Sequence, residues 1–309
     1  MSDADAVPVT RAGDRSATGP ELAGRRPTVA FSGEPGAFAE DAVAAFFAEP
    51  LTLPVPGFRE VFEAVRDGRA IAGVLPIENL VNGSVRENYD LLLEHELVIT
   101  GEVVVPVRLC LAALPGQRIE EIERVYSHIQ ALGQADRFLR SRPWSLLTTY
   151  NTAGAGKMIV DRGERAAAAV LSPRAAALFG LEILADAIQN VPDNRTRFVV
   201  VARPGVVLEP GWLRSPRAPG SRAAMRTTLA MAVANEPGAL HRVLGIFAAA
   251  GLNMSKLESR PMHGRAWEYV FWVDLDADAT EPGARAALDE LAVSVPMLRI
   301  LGSYPRAAD

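Results

Sequence analysis

A hydroxyl and a guanidinium stand side by side where a polar run enters an apolar strand. The run is Asp193–Phe198, in which Thr196 and Arg197 are neighbours, and the apolar residues 199–201 follow it. A hydroxyl can donate a proton, and a guanidinium can hold a carboxylate through two parallel hydrogen bonds. The pair indicates a site for an organic acid, although polar residues at a strand entrance can also form a solvated edge.

A second polar run follows an apolar strand. Glu78 and Asn79 come directly after the apolar residues 75–77. Asn79 is difficult to explain as structure, because an amide just past a buried strand more often faces a cleft. Ser84, a few residues further on, has a structural interpretation as the cap of a helix over residues 85–94.

Two strand-to-helix turns expose backbone amides at the start of a helix. The first is Gly33–Phe38, and the second is Asn151–Ala155, which opens on a good N-cap residue. Such amides bind carboxylates or phosphates, although a plain turn and simple capping are the alternatives. No Lys-Ser/Thr phosphate-loop pair follows either turn, and no G-x-G-x-x-G is present, so nucleotides are disfavoured.

A fifth polar stretch begins at Ser127, which ends another strand. Gln130 and Gln134 share one face of the helix that follows. His128 could act as a general base, but no partner carboxylate is evident, so a positioning or structural role is favoured. Together the five stretches describe a cleft for a small, multiply anionic acid, with no catalytic triad, metal site or cofactor loop.

The composition disfavours several classes of protein. The 309 residues suffice for two ordinary domains, and 49% hydrophobic with 22% charged residues is normal for a packed protein. A net charge of -5 with interspersed signs argues against nucleic acid or an anionic membrane as partner. No apolar run approaches the ~20 residues that span a bilayer. The single cysteine, Cys110, and the lack of a signal peptide favour a cytoplasmic location, and four scattered histidines disfavour a metal site.

Short β-rich runs alternate with helical runs from Pro27 onward. This alternation predicts parallel sheets with crossover helices, and two such sets predict two α/β lobes with a ligand cleft between them. The predicted strands are 28–32, 51–55, 70–75, 97–105, 107–113, 124–127, 145–149, 166–170 and 197–201, and the predicted helices are 35–48, 59–66, 85–94, 130–140, 153–162 and 173–179.

The C-terminal part has a different pattern. Residues 204–224 are rich in proline and glycine, which is typical of a linker. The pattern over 225–305 is strand, helix, strand, strand, helix, strand, which predicts a ferredoxin-like α+β unit. Residues 1–26 mix small and charged residues without periodicity and predict a disordered tail. The two-lobed α/β domain is therefore expected over 27–203.

The five polar stretches, taken in chain order, resemble the prephenate dehydratase family over about residues 27–304. The most specific match is Asn194–Phe198, which fits the family's N-x-T-R-F signature. Pro76–Asn79 with Gly83 matches a second motif, and Ser127–Gln134 matches a third, except that Ile129 replaces a usual proline. Further departures are Asn151 in place of Ser or Asp, and Ala37 and Ala39 where Thr or Ser is common.

The resemblance implies a catalytic domain like periplasmic binding proteins, followed by an ACT domain, in the stand-alone form of the enzyme. The implied reaction is the loss of water and carbon dioxide from prephenate, giving phenylpyruvate for phenylalanine biosynthesis, with no cofactor because aromatisation drives it. Thr196 is the expected proton donor, Glu78 is the alternative acid if burial raises its pKa, and Asn79 is a further catalytic residue. The expected substrate-binding residues are Arg197, Phe198, Ser127, Gln134, Asn151, Thr152, Ala153, Gly36 and Ala37.

The C-terminal segment resembles the ACT domains of this family at two phenylalanine-binding motifs. The resemblance implies phenylalanine as an allosteric effector that binds where two ACT domains pair, and hence a homodimer or homotetramer. Cutting the chain near Pro216 is expected to leave activity at least partly intact and to abolish the response. The expected effector-binding residues are Gly238, Ala239, Leu240, Asn253, Glu258, Ser259, Arg260 and Pro261.

Three other functions stay open. The runs Asn88–Leu93 and Thr152–Gly154 also resemble arogenate dehydratases, which perform the same chemistry on the amino acid instead of the keto acid. A non-catalytic acid-binding protein is the second, because the lobes resemble transport binding proteins. An amino-acid sensor with an inactive catalytic domain is the third.

Overall fold

Two mixed sheets form the two lobes of the N-terminal part of the chain. The computed structural model describes residues 26–214, 224–261 and 269–307, so the predicted tail over 1–26 lies almost wholly outside the described residues. The first lobe contains β1 (Thr28–Ser32), α1 (Phe38–Phe46), β2 (Leu51–Val55), α2 (Phe58–Arg66), β3 (Ala72–Asn79), β4 (Gly83–Ser84), α3 (Arg86–Glu94) and β5 (Val98–Pro106). The second contains β6 (Cys110–Ala113), β7 (Arg124–Ser127), α4 (Ile129–Gln134), α5 (Asp136–Leu139), β8 (Ser145–Thr148), α6 (Thr152–Arg162), β9 (Ala167–Leu171), α7 (Pro173–Leu178) and β10 (Glu182–Ala185). The next strand, β11 (Arg195–Ala202), belongs to the sheet of the first lobe.

The sheet order explains why the chain crosses twice between the lobes. The first sheet has the order β2-β1-β3-β11-β5, with β4 paired to β3, and the second has the order β10-β6-β9-β7-β8. β1, β2 and β3 are parallel, whereas β11 runs antiparallel between β3 and β5. The chain leaves the first lobe after β5 and re-enters it at β11. The predicted two-lobed α/β architecture is confirmed, but the sheets are mixed instead of parallel, because β11 and β6 run antiparallel to their neighbours.

Most element boundaries lie within a few residues of the prediction, and the differences have local causes. The helix predicted over 130–140 is divided at Ala135 into α4 and α5. β10 has no counterpart among the predicted strands, because its four residues are too few to show a period. Ser84 does not cap α3: it lies in β4, and its hydroxyl donates to Glu258 of the C-terminal domain. Within the described ranges, no helix combines the length and apolar character needed to cross a membrane.

The C-terminal domain has the predicted order of elements. Its elements are β12 (Met225–Ala232), α8 (Ala239–Ala249), β13 (Met254–Pro261), β14 (Tyr269–Leu275), α9 (Pro282–Ser294) and β15 (Met297–Pro305). The four strands form one antiparallel sheet with the order β13-β14-β12-β15.

The sheet of the C-terminal domain is covered on both faces. On one face Leu229 and Val273 pack in a cluster with α8 and α9. On the other face Trp272 and Tyr304 join the core of the first lobe. The rings of Trp272 in β14 and Tyr89 in α3 meet edge to face, with their centroids 4.7 Å apart. The domain is therefore docked on the first lobe and shares a hydrophobic core with it.

The first half of the predicted linker is packed against the first lobe. Trp212 is buried in the cluster that contains α1, and Leu213 forms an isolated β-bridge with Phe47. Arg214 Nε donates to the carbonyl oxygen of Ala44 at 2.6 Å. The predicted linker over 204–224 is corrected accordingly, because residues up to 214 belong to the fold and only 215–223 lie outside the described residues.

Gly302 in β15 marks a close contact between the two domains. A methyl group at this position would overlap the carbonyl oxygen of Ile99 in β5, and backbone cannot give way as a flexible side chain can. We expect Gly302→Ala to lower the free energy of unfolding by about 1–3 kcal/mol, measured by denaturant titration. Gly245→Ala in α8, where nothing lies within 4 Å, is the control and should raise stability by roughly 1 kcal/mol. A Gly302→Ala protein as stable as the wild type would contradict this docking.

Candidate active site

Asn79 is the last residue of β3, and its buried side chain is held in one orientation. Its Oδ1 accepts hydrogen bonds from the backbone N–H groups of Val81 and Asn82, at 3.0 and 2.9 Å. Two such donors identify this atom as the oxygen and leave Nδ2 as the donor. The turn that follows β3 therefore fixes the direction of the amide.

The Asn79 amide contacts the hydroxyl of Thr196 in β11. Its Nδ2 lies 2.9 Å from Thr196 Oγ1 and 2.9 Å from Asn194 Oδ1, with the carbonyl oxygen of Arg195 at 3.1 Å. Because the Thr196 oxygen accepts here, its own O–H proton is available to another group. A donor held against that oxygen also stabilises negative charge on it once the proton has left. The arrangement suits a proton donor.

The pairing of β11 with β3 decides which side chains meet. Thr196 is opposite Asn79, and Arg197 is opposite Glu78. A register shift follows directly after Arg197, and bulges of this kind re-aim the neighbouring side chains. Since side chains alternate along a strand, Thr196 and Arg197 point to opposite faces of β11.

A cleft of about 470 Å³ adjoins the Asn79–Thr196 pair. Asn194, which bonds to Asn79, is one of its lining residues. The first lobe contributes Val81 and Asn82, the second contributes residues of α4 that include Gln134, and the crossover contributes residues 189–191. The size suits a small organic molecule. Of the expected substrate ligands, Gln134 lies in this cleft.

Asn194 begins the family signature quoted above, but it was not among the expected site residues. It is 1% exposed, and its Oδ1 accepts from Asn79. Among the described residues its Nδ2 has no hydrogen-bond partner, which is costly for a buried amide. Its place in a polar run before a strand was the available signal, but the same run is equally compatible with a solvated edge.

Arg197 and Glu78 lie behind the cleft, among charged groups at the C-terminal domain. Arg197 is paired with Glu78 at 3.1 Å, and Lys256 of β13 is also 3.1 Å from Glu78. Burial raises the pKa of Glu78, but Lys256 and Arg197 outweigh it and hold that pKa below its usual value. The structure therefore corrects two expectations: Arg197 does not face the cleft as a carboxylate clamp, and Glu78 is not poised as an acid.

Three further expected ligands are buried in the cores of the lobes. The Ser127 hydroxyl donates to the carbonyl oxygen of Val170 at 2.6 Å and so ties β7 to β9. Phe198 and Ala153 are each 2% exposed and belong to hydrophobic clusters. Their side chains therefore have structural roles in the lobes, and their expected contact with substrate stays a prediction. His128 caps α4 through its ring nitrogen, and burial lowers its pKa, which agrees with the structural role favoured for it.

The remaining expected ligands lie at the starts of α1 and α6, which belong to different lobes. Gly33 has a φ of 108°, and a methyl group there would lie 3.9 Å from Asn151 Nδ2, so the two turns face each other. The neighbouring Glu34 pairs with Lys157 of α6 at 3.1 Å. The expected ligands at this junction are Gly36, Ala37, Asn151 and Thr152. Asn151 caps α6 through its Oδ1, as its sequence position predicts.

In the C-terminal domain two expected effector ligands are engaged elsewhere. Glu258 contacts Ser84, and Arg260 pairs with Asp90 of α3 at 2.8 Å, so both side chains face the first lobe. Asn253 Nδ2 donates to Asp276 Oδ2 at 2.7 Å. The other expected residues lie at the start of α8, where Gly238 has a φ of 81°, and at the end of β13; they are Gly238, Ala239, Leu240, Ser259 and Pro261.

Two family models match the chain. The model described as prephenate dehydratase matches residues 29–205, and the model described as ACT domain matches residues 227–293. The first match covers the two-lobed part, and the second covers most of the C-terminal domain, from β12 to α9, and stops before β15.

Similar proteins are known in plants and bacteria. "Arogenate dehydratase/prephenate dehydratase 2, chloroplastic" of Arabidopsis thaliana is 38% identical over 291 residues, which are 91% of this chain and 74% of that protein. The crystal structure of prephenate dehydratase from Arthrobacter aurescens in complex with L-Phe has a TM-score of 0.78 and 32% identity, covering 90% of each chain. A solved structure described as a novel type of quorum quenching acylase has a TM-score of 0.79 and 34% identity, covering 90% of this chain and 98% of the other.

Proposed function

Since the chain belongs to the prephenate dehydratase family, we propose that it converts prephenate to phenylpyruvate, with loss of water and carbon dioxide. The observation that carries the proposal is the Thr196 hydroxyl, which accepts from the Asn79 amide and keeps its own proton for donation, while the same amide bonds to Asn194, a residue that lines the cleft. The cleft itself lies between the two lobes, where ligands of open α/β folds bind.

The reaction needs a proton donor for the ring hydroxyl. Thr196 donates its proton to the leaving oxygen, which departs as water. The electron pair of the bond to the ring carboxylate moves into the ring, the carboxylate leaves as carbon dioxide, and the ring becomes aromatic. A hydroxyl is a weak acid, so proton transfer accompanies C–O cleavage, and the Asn79 amide stabilises the developing alkoxide until water reprotonates it.

The substrate carboxylates are held without a direct ion pair to Arg197. Backbone amides at the starts of α1 and α6, with Ala37 and Thr152, support a place for one carboxylate. Gln134 supports a polar contact from the second lobe. A weak hold on the leaving carboxylate favours catalysis, because strong pairing would stabilise the ground state.

Arogenate is the alternative substrate, because the relative from Arabidopsis thaliana carries both activities in its name. The deciding experiment offers the full chain each substrate separately and compares kcat/KM by the appearance of phenylpyruvate or phenylalanine. We expect turnover of prephenate. A higher kcat/KM for arogenate would change the substrate, and turnover of neither would overturn the proposal. An acyl amide belongs in the same panel, since one solved relative is described as an acylase.

Phenylalanine is the proposed effector, bound by the ACT domain of a homodimer or homotetramer. Three observations support this: the match to the ACT family, the L-Phe complex of the Arthrobacter aurescens protein, and the edge strand β13, which within the described residues pairs only with β14. An edge strand benefits from pairing with a second copy. Gly238 and Ser259 are the proposed contacts that the docking of the domain leaves at the surface.

A further inference from the structure

A buried network of charges joins the back of β11 to the ACT sheet. The Arg197 side chain is only 13% exposed, and its guanidinium lies 2.8 Å from Asp274, 3.1 Å from Glu78 and 3.2 Å from Glu102. Arg226 lies 2.6 Å from Glu102. The network thus contains two arginines and three carboxylates at one interface.

The partners of Arg197 come from both domains. Glu78 and Glu102 lie on β3 and β5, the two strands that flank β11. Asp274 lies on β14 of the ACT sheet, where its other oxygen accepts from the Thr228 hydroxyl at 2.7 Å. Asp274 is therefore fixed to the ACT domain on one side and holds Arg197 on the other.

The charge balance makes Arg197 dependent on the ACT domain. Burial by itself would lower the pKa of Arg197, but Asp274 and Glu102 are among the groups that raise it, so the guanidinium stays charged. Glu102 and Glu78 remain as partners, but each also pairs with a cation of the ACT domain, Arg226 or Lys256. Losing Asp274 therefore leaves the buried charge of Arg197 less compensated, which is destabilising. A displacement of β14 must therefore either carry Arg197 with it or break this pair.

Thr196 and Arg197 are consecutive residues with opposite orientations. The first faces Asn79 at the cleft, and the second faces Asp274 at the ACT sheet. A rotation or shift of β11 that relaxes the Arg197 pairs also moves the Thr196 hydroxyl relative to the Asn79 amide. A proton donor misplaced by about 1 Å loses roughly a hundredfold in rate.

We propose that Arg197 is a positioning residue that couples the ACT domain to the proton donor, and that an effector bound to the ACT domain changes kcat through the Asp274–Arg197 pair. This inference rests on the proposed function for its kinetic consequence. It does not require Arg197 to touch the substrate.

The test is Asp274→Asn in the full chain, which keeps the shape and the bond to Thr228 but removes the charge opposite Arg197. We expect kcat to fall and the effect of phenylalanine on kcat to shrink, each by roughly five- to tenfold, with KM nearly unchanged. Phenylalanine binding, measured by calorimetry, should persist. Arg197→Lys is the second variant, because it keeps the charge but loses the planar guanidinium fork. It should likewise lower kcat and leave KM nearly unchanged.

Asp90→Asn is the matched control. It removes the pair with Arg260 at the same interface, and Asp90 lies on α3 and not on β11 or a strand that flanks it. Equal losses in Asp90→Asn and Asp274→Asn would show general weakening of the interface and would overturn the coupling. A wild-type kcat and phenylalanine response in Asp274→Asn, or a change confined to KM, would overturn it as well.

Amide hydrogen exchange separates this inference from the proposed function. In Asp274→Asn the amides of 195–198 should exchange faster, whereas those of 124–127 in the second lobe should not change. Unchanged exchange at 195–198 would overturn the coupling whatever the activity. If the wild type turns over neither dehydratase substrate but this exchange difference is found, the coupling stands and the proposed function falls.

Discussion

Replacing Thr196 with alanine is expected to lower kcat by roughly 10²–10⁴-fold, the usual worth of a positioned general acid. The variant removes the hydroxyl that accepts from Asn79 at 2.9 Å and leaves no donor in its place. Folding should survive, because the Asn79 amide keeps two other acceptors, Asn194 Oδ1 and the Arg195 carbonyl. The measurement is kcat and KM for prephenate, with a thermal melt to verify the fold.

Two controls make this result specific. Thr196→Ser keeps the hydroxyl and should retain most of the activity. Thr100→Ala removes a hydroxyl from β5 of the same sheet, where it donates to the Val200 carbonyl at 3.2 Å, and should leave kcat unchanged. A folded Thr196→Ala protein with near-normal kcat would transfer the role to another group. Glu78 is a poor substitute, because its cationic neighbours hold its pKa low.

The contact between Asn79 and Thr196 was within reach of the sequence, whereas the direction of Arg197 was missed. The polar amide directly after a buried strand lies next to the cleft, where it bonds to the lining residue Asn194. The adjacency of Thr196 and Arg197 suggested a joint site, yet neighbours in a strand point to opposite faces. Once 195–202 is taken as a strand, only one of the two can face the cleft. The two-residue alternation of side chains along a strand could therefore have predicted that Arg197 points away from the cleft.

The docking of the ACT sheet could not be predicted from local patterns. β14 has buried residues on both faces, which is typical of a sheet covered on both sides. That pattern does not identify the partner of the second face, which is α3 and β5 of the first lobe. Glu258 and Arg260 are similar cases, since their charges gain a partner only through a contact more than 160 residues distant in sequence. The family motif suggested a ligand where the structure places a domain contact.

A chain that ends at residue 214 is expected to lose its cooperative fold and its activity. The truncation removes the four large side chains Val270, Trp272, Leu301 and Tyr304 from the core shared with the first lobe. Each contributes about 1.5–3 kcal/mol of burial, so their sum is comparable with the total stability of an ordinary domain. It also leaves Arg197 without Asp274. This differs from the sequence-based expectation that the catalytic part would keep partial activity after separation near Pro216.

Cutting only the peptide connection between the domains distinguishes the loss of the covalent link from the loss of the docked ACT domain. A protease site inserted within 215–223 leaves both domains present, and the buried interface should keep the two fragments together, active and co-eluting in size-exclusion chromatography. The truncated chain, in contrast, should show low soluble yield and no sharp melt. Docking makes the ACT domain part of the fold of the first lobe, so its removal cannot act as a simple loss of regulation. A 1–214 protein that melts cooperatively and retains the wild-type kcat would refute this dependence.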